Sequence, residues 1–367
     1  MDTPPPAGGM PPQAPVTPQI VGPMPPPPPP RRRSAFGRLL LVFFLLVFFG
    51  SILLNMVLLG WAGVAALETE HRVQEKYVSH NRTATEKVAI IAVEGVIMET
   101  DEGFVKRQID RVIADENVKA VVLRVDSPGG SVSGSDYIYY HLRKMLDKRK
   151  IPMVVSMGGI AASGGYYVSM AVGHAQDTIY AEPTTFTGSI GVIIPHYDLS
   201  GMFGKVGVEE DSVVSARLKG MGSLARPMTK EERKIFQGLV DDSFTRFKDI
   251  VKSGRARFDK DPAELDKVAT GNIFLADQAK KNGLIDQIGF LEDAVDQAIK
   301  LAQLDEKEVK VVRYKPEPTL AGVLFGGQSE GRAALDLRAL LEMSSPRAFY
   351  MCTWLPALAG KPERHGE

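Results

Sequence analysis

Ile160-Ala161-Ala162-Ser163-Gly164-Gly165-Tyr166-Tyr167 is the stretch around which the chain is organised. A short apolar run, Pro152 to Met157, precedes it and reads as a buried strand, while Tyr166 to Val172 reads as the first turns of an apolar helix. Ser163 is therefore predicted to stand at a helix N-terminus. Backbone N–H groups there lack partners within the helix, and the helix dipole favours negative charge. That setting suits an oxyanion forming beside an attacked carbonyl, which makes Ser163 a candidate nucleophile. Alanine and glycine on both sides let a substrate backbone come close. Taken alone, the stretch also reads as a tight turn that happens to contain serine, because Gly and Ser are common in such turns. The rest of the chain has to separate the two.

Outward from Ser163 the pattern alternates. Val88 to Val93 is an unbroken apolar run, Phe104 to Ala114 has helical spacing, Ala120 to Val125 is apolar but for Arg124, and Tyr137 to Leu146 is helix-like. Thr178 to Ala181 adds a strand, Met228 to Val251 a long amphipathic helix opened by Thr229 with Glu232 as a capping box, and Leu291 to Ala302 a last helix before Val309 to Arg313. Alternating strands and helices predict an α/β domain with parallel strands and crossover helices. No repeat with a period of roughly 20–50 residues is present, which argues against a solenoid.

Two further stretches bear on chemistry. Val125-Asp126-Ser127-Pro128-Gly129-Gly130-Ser131 is predicted to be a loop between a strand and a helix, able to turn its N–H groups into a cleft. It has neither the Gly-Lys-Ser/Thr end of a phosphate loop nor the three spaced glycines of a dinucleotide site. In Ser212 to Met228, Lys219 lies between Leu218 and Gly220, with Met221 and Gly222 following. A lysine among apolar and small neighbours can be desolvated, which favours the neutral amine that works as a base. The competing reading of Lys219 is an exposed loop cation.

The 367 residues carry 44 basic and 44 acidic side chains, so no global field points to nucleic acid. The single cysteine, Cys352, excludes an internal disulfide, and no Cys/His cluster has zinc-site spacing. Residues 1 to 30 are dominated by proline, ending in the run Pro25 to Pro30, and are predicted to be disordered or polyproline-like. Leu39 to Leu67 holds no charged residue and exceeds the ~20 residues that span a bilayer, so it reads as a retained membrane anchor. A cleaved signal is the alternative, with Val64-Ala65-Ala66 at the right end of the run. Arg31, Arg32, Arg33 and Arg38 before the span and Glu68, Glu70 and Glu75 after it predict a cytoplasmic head and a domain outside the cytoplasm.

Together, Asp126-Ser-Pro-Gly-Gly130, Ala161-Ala-Ser-Gly-Gly-Tyr-Tyr167, Thr187-Gly-Ser-Ile-Gly-Val192 and Met228-Thr-Lys-Glu-Glu232 resemble the bacterial signal peptide peptidase family, SppA, in the family's order. The resemblance covers residues 87 to 314 and is to the short form with one protease unit per chain. It implies the fold of ClpP and the crotonases. By position it implies Ser163 as nucleophile, Lys219 as general base, Ser189 as the hydroxyl that orients the lysine, and the N–H groups of Gly130 and Gly164 as the oxyanion hole. A serine–lysine pair needs no metal, and no cofactor is expected. The resemblance further implies a homo-oligomeric ring in which the serine of one subunit meets the lysine of its neighbour. Its implied substrates are cleaved signal peptides and other unfolded hydrophobic peptides, bound as added strands.

Two stretches depart from the family pattern: Ala171 to Thr178 is long, and Ser215-Ala216-Arg217 stands where a Ser-Gly pair is common. Two other enzyme readings share parts of this description. A ClpP-like protease would use a histidine base, with His196 (or His174) and Asp198 or Asp177 as partners; a crotonase-type acyl-CoA enzyme would leave the membrane anchor unexplained. A catalytically silent, ring-forming membrane scaffold is the reading from another class, and intact Ser163 and Lys219 argue against it. The division expected is a head at 1–38, a transmembrane helix at 39–67, a linker at 68–86, the protease domain at 87–314 and a tail at 315–367. In that tail, Arg347 to Leu355 is apolar enough to pack within the fold as a strand or helix, or to dock on a neighbouring subunit or the membrane.

Overall fold

A computed structural model of the chain describes residues 35–69, 73–98, 103–316 and 348–351. Two units are distinct. The first holds most of α1 (Ala35–Thr69), within which Arg38–Gly60 is a 23-residue segment of mean hydropathy 2.7, long and apolar enough to cross a membrane. Its side chains from Arg38 to Gly60 are exposed throughout, which suits a helix whose solvent is lipid. Cys352 and the arginine cluster Arg31 to Arg33 lie outside the described residues.

The second unit is an α/β domain. Its strands and helices alternate in the order β1 (Val73–His80), β2 (Glu86–Ile97), α2 (Phe104–Ala114), β3 (Val118–Ser131), α3 (Val132–Arg149), β4 (Met153–Ala162) and α4 (Gly164–Ser169). There follow β5 (Ile179–Ala181), β6 (Phe186–Gly188), α5 (Ser200–Val206), α6 (Lys230–Gly254), α7 (Ala256–Lys260), α8 (Pro262–Val268), β7 (Ile273–Leu275) and α9 (Ala276–Lys281). The set closes with β8 (Gln287–Ile288), α10 (Leu291–Leu301), β9 (Val309–Pro316) and β10 (Phe349–Met351). Among the described residues these strands form one sheet ordered β1-β9-β2-β3-β4-β5-β8, with β6 on β4, β7 on β6 and β10 on β3. The central pairings β9-β2-β3-β4-β5-β8 are all parallel, as the alternation predicts.

Burial on both faces explains the unbroken apolar run in β2. Ala89, Ile91 and Val93 point into one core with Ile109, Leu142 and Tyr167, while Val88 and Ile90 point into another with Ala294, Val295 and Ile299 of α10. Arg124, the one charge in the β3 run, is held by Ser156 Oγ at 2.9 Å and Glu182 at 2.6 Å. The capping box holds as read: Thr229 Oγ1 accepts the Glu232 N–H and Glu232 accepts the Thr229 N–H.

Three boundaries differ from expectation. The stretch read as a linker, 68–86, carries β1, which pairs antiparallel with β9. Its polar, alternating sequence conceals a strand because β1 is an edge strand, with half of it exposed. Asp126 to Ser131, read as a loop, continues β3. Pro128 is accommodated because the ladder to β2 skips from Glu94↔Asp126 to Val96↔Gly129, so no sheet bond is asked of its missing N–H. The tail read from residue 315 contributes the end of β9 and β10; the rest of Arg347 to Leu355 lies outside the described residues.

Candidate active site

Small residues bring three backbones together around Ser163. β4 runs straight into it, and Ser163 is the N-cap of α4 with φ 54 and ψ −113, a conformation that L-residues adopt only under constraint. Its N–H is tied to the Gly188 carbonyl at 2.8 Å, and its own carbonyl accepts from Tyr167 N–H at 2.8 Å. Among the described residues its side chain has no partner: Ser163 Oγ is buried and makes no hydrogen bond. A strained backbone holding an unpartnered buried hydroxyl is a costly local arrangement, and such arrangements cluster at functional sites.

The end of β3 forms the facing wall. A Cβ placed on Gly164 would stand 3.1 Å from Gly130 N and 2.4 Å from Ser135 Oγ, so the Gly130 and Gly164 backbones approach as only glycine permits. The two N–H groups singled out from the sequence therefore belong to neighbouring backbones. Ser127 locks this corner by donating to the Gly95 carbonyl at 2.6 Å and accepting from Gly129 N–H at 3.1 Å. Ser189 follows the residue that receives the Ser163 N–H; its own N–H donates to the Asn272 carbonyl at 2.7 Å, and it is buried. β6 reaches this place because it pairs in parallel with Ile160–Ala162, with Thr187 Oγ1 donating to the Ala161 carbonyl at 2.7 Å.

No hydrogen bond among the described residues joins Lys219 to this corner. It lies on a 3-10 turn, Arg217–Gly220, is exposed, and has no side-chain partner among the described residues. The described residues leave it exposed, where the sequence suggested desolvation. What the chain does supply is a clamp on the turn. Arg226 donates to the Gly220 carbonyl at 2.8 Å and to both carboxylate oxygens of Glu232, and Arg217 is paired with Glu231. The Arg226 guanidinium, with the Thr229 N–H, holds Glu232 down to about 2.

A stability prediction follows from this clamp. Because the folded value is depressed, the contribution of Glu232 is present above the ordinary glutamate range of ~4.3 and is lost as pH falls toward its folded value. Glu232→Gln is expected to lower stability by about 1–2 kcal/mol at neutral pH, the loss of charge-assisted hydrogen bonds. The gap between the two proteins should close as pH falls from 4.5 to 2, read as denaturation midpoints; a gap independent of pH would contradict the clamp.

The histidines are placed otherwise. His174 Nε2 lies 2.9 Å from the Lys252 carbonyl, and His196 Nε2 is buried without a partner among the described residues. Asp198 accepts from the N–H and hydroxyl of Ser200, and Asp177 accepts from Gln287. No hydrogen bond among the described residues joins either histidine to Ser163. Residues given no role in the sequence reading include Ser127, Asn272 and Tyr350. Ser127 carried a signal, since a serine before Pro-Gly-Gly can tie its own turn, and Tyr350 lies in the stretch Arg347 to Leu355 read as apolar enough to pack within the fold, as β10 does.

The family model for peptidase family S49 matches residues 145–305. The chain is 34% identical over 263 residues to Protease 4 of Salmonella typhi, covering 70% of this chain and 41% of that protein. It therefore spans less than half of the Salmonella protein. It is 35% identical over 262 residues to "Putative protease slr0021" of Synechocystis, covering 71% and 91% respectively. It is 36% identical over 247 residues to "Putative signal peptide peptidase SppA" of Enterococcus faecium, covering 64% and 69%. The match over nearly the whole Synechocystis protein, with Ser163, Ser189 and Lys219 inside the matched family region, leads to one conclusion: the chain belongs to peptidase family S49.

Proposed function

We propose that the chain is a membrane-anchored serine endopeptidase with a Ser163–Lys219 dyad, whose substrates are cleaved signal peptides and other unfolded hydrophobic peptides. The observation that carries this reading is the buried Ser163 Oγ, unpartnered among the described residues, on a strained N-cap beside the close approach of the Gly130 and Gly164 backbones. Neutral Lys219 takes the Ser163 proton and the alkoxide attacks the peptide carbonyl carbon. The oxyanion is held by the N–H groups of Gly130 and Gly164. The C–N bond then breaks, the amine leaves with the proton from Lys219, and water hydrolyses the ester by the reverse proton path. Ser189 orients the lysine.

Assembly completes the site in this reading. Among the described residues of the same chain Ser163 Oγ has no hydrogen-bond partner and Lys219 no side-chain partner, and in this reading a neighbouring subunit supplies both. The exposed apolar residues Tyr197, Met202, Val206, Val208 and Val213 surround the approach to Lys219 in sequence and give the neighbour something to cover. α1 anchors the chain, with the basic head cytoplasmic and the peptidase domain outside.

A membrane-impermeant fluorophosphonate applied to intact spheroplasts tests the nucleophile and the topology together. The wild type should be labelled and Ser163→Ala should not. Labelling only after lysis would overturn the topology, and equal labelling of Ser163→Ala would overturn the nucleophile.

A further inference from the structure

α3 begins where β3 ends, and its first turn carries a serine whose hydroxyl the helix does not call for. Ser135 is fully buried. Its hydroxyl donates to the Ser131 carbonyl at 2.9 Å, four residues back along the chain. Ser131 is the N-cap, so its carbonyl already takes the first main-chain bond of the helix, and its side chain accepts the Gly134 N–H at 3.0 Å. The helix start is thus capped without Ser135. A hydroxyl bonded back to the carbonyl four residues earlier slightly destabilises a helix, and alanine would be the better helix former.

What the hydroxyl faces is Gly164. A side chain begun at Gly164 would run into Ser135 Oγ, and the same point lies 3.1 Å from both Gly130 N and Gly129 Cα. The serine oxygen and the two glycines near the end of β3 therefore crowd one side of Gly164. A hydroxyl carries one proton and two lone pairs. The Ser135 proton is engaged with Ser131, so its oxygen meets the Gly164 Cα–H as an acceptor.

The contact closes a short chain of atoms between two backbones. Gly130 is followed by Ser131, the Ser131 carbonyl holds the Ser135 hydroxyl, and the hydroxyl bears on Gly164, the residue after Ser163. Gly130 belongs to β3 and Gly164 to α4, so local chain geometry does not set their separation. Ser127 bears on the next residue: its carbonyl oxygen lies 2.7 Å from the point where a Cβ on Gly165 would stand. Ser135 bears on Gly164 itself. Two N–H groups hold one oxygen only when both reach the same point, so the gap between their backbones matters to the reaction.

We propose that Ser135 is a positioning residue of the oxyanion hole: tethered to Ser131, its hydroxyl sets the gap between the Gly130 and Gly164 backbones and keeps their N–H groups aimed at one oxygen. The proposal rests on the reading of these two N–H groups as the oxyanion hole of Ser163, and deepens it by adding a residue that acts only through another group. Its effect is felt in the transition state, when the oxygen carries charge, and not in the binding of the uncharged peptide.

The test uses the full chain in detergent micelles and has two arms. In the first, Ser135→Ala is compared with wild type on an internally quenched peptide. Its kcat should fall about 10- to 100-fold, the weight of a misplaced donor, while KM stays within about twofold and the protein melts as wild type does. An unchanged kcat in the folded protein would overturn the proposal. So would a fall in kcat that comes with a raised KM and a lower melting point, the pattern of a side chain that serves the fold. Ser135→Cys replaces the tether by a weaker donor and a larger atom, and decides this arm by the same split if Ser135→Ala does not fold.

The second arm does not need Ser163 to react. A fluorescein-tagged pentapeptide of alanine and leucine is made with a C-terminal carboxylate and with a C-terminal carboxamide. Both are titrated by anisotropy into Ser163→Ala chains with and without Ser135→Ala. Two N–H groups aimed at one point favour a charged oxygen, so the carboxylate should bind at least about tenfold more tightly than the carboxamide with Ser135 present, and about threefold or less without it. The ratio of the two affinities cancels whatever else competes for the cleft. A ratio that ignores Ser135, or no preference in either chain, would overturn the spacing role. If the ratio responds to Ser135 while no form of the chain hydrolyses peptide, the nucleophile reading fails and the spacing role stands. If Ser163→Ala abolishes hydrolysis while Ser135→Ala changes neither arm, the nucleophile stands and the spacing role falls.

Discussion

Ser163→Ala is expected to lower kcat on an internally quenched peptide by about 10⁴-fold or more, because losing the nucleophile removes the acyl route altogether. Lys219→Ala should lower it by about 10²–10⁴-fold, the usual weight of a general base. His196→Ala should retain most of the wild-type rate. The reverse pattern, with His196 essential and Lys219 dispensable, would establish the histidine reading. Stability supplies an independent check on Ser163→Ala. The substitution removes a buried hydroxyl that has no partner, and with it a desolvation penalty of about 1–3 kcal/mol. The inactive protein should therefore melt higher than wild type, by about 2–4 °C per kcal/mol for a domain of this size. A lower melting point would mean that Ser163 serves the fold, and the loss of activity would then need another explanation. Stability given up at a working site is the common trade.

How much of this was legible in the sequence depends on the range of the interaction. The unbroken apolar run Val88 to Val93 announced a strand buried on both faces, and the structure gives each face its own core. Thr229 and Glu232 announced a helix start because a capping box is complete within four residues. The corner around Ser163 was legible as small residues flanking a serine, since a close approach of backbones excludes everything larger. β1 was hidden because it is an edge strand, half exposed and half only partly covered, and so carries little apolar signal. The continuation of β3 through Pro128 was hidden because a proline in a strand is tolerated only where the partner ladder slips, and that slip is a property of β2. The placement of Tyr350 rests on contacts with Tyr167, Phe247 and Ser243, more than 100 residues away, for which no local pattern exists. Lys219 illustrates the remaining limit. Its apolar neighbours suggested burial, yet it is exposed, because a short run of apolar residues does not say which of its side chains the fold covers.

Co-expression of Ser163→Ala chains with Lys219→Ala chains is accordingly expected to give active assemblies from two inactive parts. In a ring where each junction joins the serine of one subunit to the lysine of the next, an equal random mixture pairs an intact serine with an intact lysine at about a quarter of its junctions. Activity should therefore recover to about a quarter of that of wild-type rings, at least about 25-fold above either variant alone given the losses expected of the single variants. Two controls bear on the reading. A chain carrying both substitutions, co-expressed with either single variant, supplies no junction with both groups intact and should stay inactive. Dilution of wild-type assemblies to monomers should abolish activity with every residue intact, because the exposed Lys219 and the unpartnered Ser163 Oγ then lose each other. If co-purified mixed assemblies remain inactive while wild-type assemblies prepared in the same way hydrolyse the peptide, the dyad closes within one chain. In that case the turn Arg217–Gly220 must swing to Ser163 in its own subunit, against the hold of Arg226 on Gly220, and Arg226→Ala should then accelerate turnover instead of slowing it.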